Sequence, residues 1–113
     1  LIIEPTTQRA TRTEAEGREV YGRMQRFGEA LQAQGKLKAS ESLASQASAV
    51  RVSTAAGQAK VVDGPFAEAK EMVGGFFLLD CDSLDEAVAI AHACPAAEWA
   101  TVEVRALAPC YVA

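Results

Sequence analysis

A chain of 113 residues has room for one modest core and no more, so residues 1–113 read as a single domain. Half of the residues are hydrophobic but only 6% are aromatic, so the core must come mainly from Ala, Val and Leu, and self-association is a natural way to gain further burial. The net charge of −4 and the scattering of the eleven basic residues argue against nucleic acid, and no segment has the ~18–20 apolar residues of a membrane span.

Leu1-Ile2-Ile3 reads as the end of a first strand that starts further upstream, closed by Pro5. Thr13-x-x-Glu16 is a capping-box pattern that opens a helix. Val20, Met24, Phe27 and Leu31 follow on one stripe, and Gly35 is a plausible stop. Residues 37–46 are polar and Ser-rich, with short strand potential near Leu43. Ala49 to Ser53 alternates with period two, Ala56-Gly57-Gln58 turns the chain, and Lys60-Val61-Val62 returns it, so residues 49–63 predict a hairpin.

Phe76-Phe77-Leu78-Leu79 is apolar on both faces, which calls for cover on both sides. Two helices can cover one of them; a second copy of the sheet is the simplest cover for the other. Ser83-x-x-Glu86 caps a second helix, whose expected buried stripe is Leu84, Ala87, Val88 and Ala91 and whose end is Cys94-Pro95. Thr101 to Leu107 predicts a last strand, with Val102, Val104 and Ala106 on one face and Glu103 and Arg105 on the other. The order β-α-β-β-β-α-β implies an α+β, ferredoxin-like split βαβ fold: an antiparallel sheet, an inserted β-hairpin, and two helices on one face.

Between the hairpin and the doubly apolar strand stand Asp63-Gly64-Pro65-Phe66-Ala67-Glu68, Lys70-Glu71 and Gly74-Gly75-Phe76. Further on come Ser83-Leu84-Asp85-Glu86-Ala87, Cys94-Pro95-Ala96-Ala97 and Val102-Glu103-Val104-Arg105. In this order the pieces resemble the DGPF branch of the YCII-related proteins. The resemblance implies a dimeric α/β barrel, two ferredoxin-like sheets packed face to face. It also implies a setting near alternative sigma factors, hence a regulatory or stress-linked role. Some members of the wider family are thought to use a His-Asp pair between subunits, and one relative is a lyase for chlorinated aromatic rings. The sole histidine here, His92, lies late in the second helix rather than near the first strand, so that mechanism is in doubt.

The residues that could carry chemistry each have a plainer reading. Asp63 is either the first residue of a stiff turn or an acid held at its corner, and Glu71 is a second candidate for proton transfer. Glu68 follows the turn among other charges and would ordinarily be a solvated ion-pair partner. Phe66 is a candidate pocket wall or an anchor. Glu103 and Arg105 share one strand face, as an ion pair between protomers or, through Arg105, as a place for an anionic group. Three cysteines without a CxxC pair fit a reducing, cytoplasmic setting, and Cys94 reads as a buried thiol. Phosphate-loop, GxSxG, HExxH and zinc patterns are missing, so neither a cofactor nor a metal is expected. Three functions follow as expectations. One is a homodimer that binds a small organic molecule between protomers. The second is a cofactor-free lyase, isomerase or oxygenase on the same scaffold. The third is a module whose partner is another protein, such as a sigma factor.

Overall fold

A computed structural model describes residues 1–113. Strand β1 (Ile2–Pro5) leads through a short 3-10 turn into helix α1 (Glu14–Ala33). The capping box forms in both directions: the Glu16 N–H donates to Thr13 Oγ1 at 3.1 Å and the Thr13 N–H donates to Glu16 Oε1 at 3.3 Å. Gly35 ends the helix in the left-handed region at φ 70°, and the Lys36 N–H returns to the Leu31 carbonyl at 2.9 Å.

Strand β2 spans Leu37–Ser42, so the polar stretch is a strand that stops before Leu43 instead of one centred on it. As an edge strand it is held by backbone bonds to one neighbour, which its polar side chains do not oppose. Strands β3 (Val50–Ala55) and β4 (Gln58–Asp63) form the expected hairpin. Ala56 and Gly57, both at positive φ, make its two-residue turn, the geometry that matches strand twist.

Strand β5 (Glu71–Leu79) is the central long strand. It pairs with β2 on one side and β1 on the other, with a bulge at Gly74 where Ile2 faces Gly75 and Ile3 faces Val73. Helix α2 (Leu84–Ala93) is capped by Ser83, whose Oγ accepts the Glu86 N–H at 3.1 Å. The Glu86 carboxylate accepts from the Asp82 N–H, one residue upstream of the reciprocal bond a full box would make. Its inward side is Ala87, Ile90, Ala91 and the following Cys94, not the expected row through Leu84 and Val88, which are exposed. Spacings of three and four from Ala87 select that row.

Strand β6 is only Thr101–Val102, shorter than the alternation over 101–107 predicts. Its partner is β1, and the last bonds between them join Leu1 and Glu103; from Val104 on there is no neighbouring backbone to pair with.

The sheet order β2-β5-β1-β6 is antiparallel throughout, the split βαβ arrangement with the β3–β4 hairpin standing outside it. Paired residues share a face. Ile2, Glu4, Gly75, Phe77, Leu79 and Val102 look toward the helices, and Ile3, Val73, Phe76, Leu78 and Thr101 look away. The core sits on the helix side, where Ile2, Cys94 and Ala96 meet Met24, Phe27, Phe77 and Trp99. No helix is long and apolar enough to cross a membrane.

Candidate functional site

The Asp-Gly-Pro-Phe turn anchors the hairpin to the body. The Gly64 N–H donates to the Ala49 carbonyl at 2.7 Å, and a Cβ at Gly64 would stand 2.0 Å from the Gln46 carbonyl oxygen, so only glycine fits there. Phe66 is buried at 6% exposure. The Arg51 guanidinium from β3 lies 3.7 Å over its ring and reaches Glu68 at 3.1 Å. Phe66 and Glu68 are therefore used by the chain itself, as the clamp at the root of the hairpin. Asp63 is exposed at the end of β4, opposite Val50.

Glu71, Glu103 and Arg105 lie elsewhere. Glu71 opens β5 opposite Pro5 on the face turned from the helices, and the bonds between Leu1 and Glu103 put Glu103 on that same face, whereas Arg105 lies past the end of β6 in a segment that lines a cavity with Leu79, Leu84 and Cys94. All three are exposed, and none joins one of the five ion pairs within the chain. Glu71 and Glu103 stand at the margins of a surface whose middle is Ile3, Val73, Phe76 and Leu78. The six residues singled out by sequence thus fall into separate places: Asp63, Phe66 and Glu68 at the hairpin root, Glu71 and Glu103 at the open sheet face, and Arg105 beyond the last strand.

Sequence reasoning missed one charged cluster altogether. Glu4 is 6% exposed and is the buried acid of the chain. Arg9 donates through Nε to both carboxylate oxygens at 3.2 Å and through Nη2 to Oε1 at 2.7 Å, and also reaches the carbonyls of Leu43 and Gly74. The available signal was Glu4 two positions from Ile2, on the inward side of the strand.

Cys94 and Cys81 are both thiols pushed up from the usual range, chiefly by burial, which disfavours a thiolate nucleophile. His92 is exposed in the last turn of α2. No three His, Cys, Asp or Glu side chains come together as a metal-binding group.

Family comparison agrees with this architecture. A family model described as the YCII-related domain matches residues 2–110. This chain belongs to the YCII-related family. The chain is also similar to an uncharacterized protein of Rhizobium meliloti (strain 1021), 45% identical over 76 residues. That match covers 66% of this chain, which spans 61% of the relative's length. In this YCII-related chain the motif-bearing turn forms the clamp at the root of the hairpin.

Proposed function

We propose that this YCII-related protein works as a homodimer whose open sheet faces enclose a cleft for a small organic molecule, with binding rather than turnover as its role. The observation that carries the reading is surface area. The chain exposes 8058 Å², whereas a compact protein of its mass exposes about 5,900 Å². An excess of roughly 2,000 Å² is more than the ~800 Å² per partner of a standard interface. Part of the excess belongs to the hairpin and the C-terminal segment; the apolar middle of the open face adds a surface suited to a second copy. Glu71 and Glu103 at its margins, and Arg105 in the segment that follows β6, would meet a polar ligand or charges of the partner. Binding is favoured over catalysis because Asp63 and Glu71, the carboxylates that would move a proton, are exposed and unheld by neighbouring side chains.

Light scattering across a hundredfold range of concentration tests the assembly. The expected mass is twice the 11.9 kDa of the chain, and Val73→Asp, at the centre of the open face, should return it to 11.9 kDa with the helical signal retained. A wild-type protein that stays a cooperatively folded monomer at every concentration overturns the proposal. For the cleft, benzoate binding to the wild type and its loss in Arg105→Gln is the expected pair of results.

A further inference from the structure

Helix α1 leaves part of its own side of the sheet uncovered. The positions of β2 that face the helices are Leu37, Ser40 and Ser42, opposite Leu79, Phe77 and Gly75. A strand face turned toward a helix ordinarily carries apolar side chains. Ser40 and Ser42 break that pattern, and edge-strand polarity explains only the outward positions, such as Glu41. Above them α1 carries Gly28, which has no side chain to fill the space, and beside them Gly74 and Gly75 present bare backbone. The result is a cleft of about 330 Å³ with Met24, Phe77 and Trp99 as apolar wall, within the size range of small-molecule sites. Ser40 and Ser42 are both part of its lining.

The charge of the lining is one-sided. Glu29 lines the cleft together with the amides of Gln25 and Gln32, Glu41 adjoins it by its backbone with its side chain on the outward face, and no Lys, Arg or His is part of the lining. Of the guanidiniums nearby, Arg9 near Gly74 is occupied by Glu4 and Arg23 by Glu98, while Arg12 and Arg23 lie over the Trp99 ring at 5.9 and 5.2 Å from its centre. An anion entering here would lose its hydration and meet a lining whose own charge is the Glu29 carboxylate.

We propose that this cleft is a binding site for a small molecule with a compact apolar body, a hydrogen-bonding group and no negative charge, a neutral alcohol or an amine. The body lies on Met24, Phe77 and Trp99. Ser40 and Ser42 hold the polar group, and Glu29 at the mouth favours a cation. The site is formed within one chain, does not depend on the proposed dimer, and has a charge preference opposite to that of the cleft near Arg105.

Three probes with one ring separate the two places: benzyl alcohol, benzylamine and benzoate, each titrated into the isotope-labelled protein and followed by amide chemical shifts. Benzyl alcohol and benzylamine should move Gly28, Ser40, Gly75 and the Trp99 indole saturably, with benzoate at least tenfold weaker at those signals. Ser40→Val with Ser42→Val keeps strand preference and should weaken both by tenfold or more. Gly28→Ala, whose added Cβ meets Phe77 at an ordinary 3.6 Å, narrows the cleft while favouring the helix, so weaker binding there cannot come from unfolding. Equal benzoate binding at these signals, shifts confined to Val73, Thr101 and Arg105, or no saturable shift with any probe overturns the proposal; light scattering on the same samples reports the dimer separately.

Discussion

Glu4 shows what a single side chain can demand of its surroundings. Removing a carboxylate from water costs several kcal/mol unless charge and hydrogen bonds replace the water. Arg9 supplies both, and its remaining donors join β5 to the segment after β2 through the Gly74 and Leu43 carbonyls. The space for the carboxylate exists because residue 74 has no side chain: a Cβ there would lie 1.7 Å from Glu4 Oε1. Gly74→Ala must therefore expel the carboxylate or undo the bulge, and should destabilise by about 3 kcal/mol or more in urea unfolding, the range for breaking a buried pair. Adding Glu4→Ala to Gly74→Ala should recover part of that loss, because the clash and the stranded charge share one cause. Strictly additive losses would disconnect the two residues. Gly74 was visible in the sequence as part of a motif; that its purpose is to admit Glu4 was not, because the two residues are 70 positions apart and meet only through strand register.

Elements repeat the lesson at larger size. Local signals were legible: the Thr13 box, the Gly35 stop, the hairpin and the two faces of Phe76–Leu79 need only neighbours in sequence. What depended on distant partners was not. The alternation in 101–107 predicts a seven-residue strand, yet one exists only where β1 lies beside it, at Thr101 and Val102. Lys36, just before β2, meets Glu86 of α2 at 2.5 Å, a tie between elements that no spacing announces. The Lys36 hydrogen bond holds the Glu86 carboxyl below the usual range, and Glu86 raises Lys36; Arg23 does the same to Glu98. A glutamate whose folded value is lowered contributes stability that is fully present above its unfolded value near 4.3 and lost as pH falls through the folded one. For raised Lys36 the contribution is whole below about 10.4 and lost as pH rises through the higher folded value. Lys36→Met should thus reduce stability near pH 7 while shrinking the further drop between pH 5 and 3, read from urea midpoints. An unchanged acid limb in that variant would show that the contact does not persist in solution.

The dimensions of the whole molecule, 47 × 42 × 18 Å, are those of a slab, and its radius of gyration of 16.2 Å exceeds the ~13 Å of a compact chain of this length. Much of that reach is the β3–β4 arm. Arg51 and Val62 share the face of the arm that carries the clamp on Phe66; Val50, Val52 and Val61 lie on the other face, 55%, 70% and 61% exposed. A two-stranded ribbon alone is marginal in water, and three exposed valines in a row do not improve it. If the homodimer proposed above seats this valine face against a second protomer, assembly would order the arm. Amide hydrogen exchange separates that from an arm that stands by itself. Protection at residues 50–63 should rise with protein concentration in step with the dimer, while residues 72–79, paired with β1 over the first half and β2 over the second, change little. Val52→Lys should remove the concentration dependence and leave β5 protected. Equal protection of the arm at all concentrations would mean that its Phe66 clamp suffices to hold it, and that the valine face has no partner in solution.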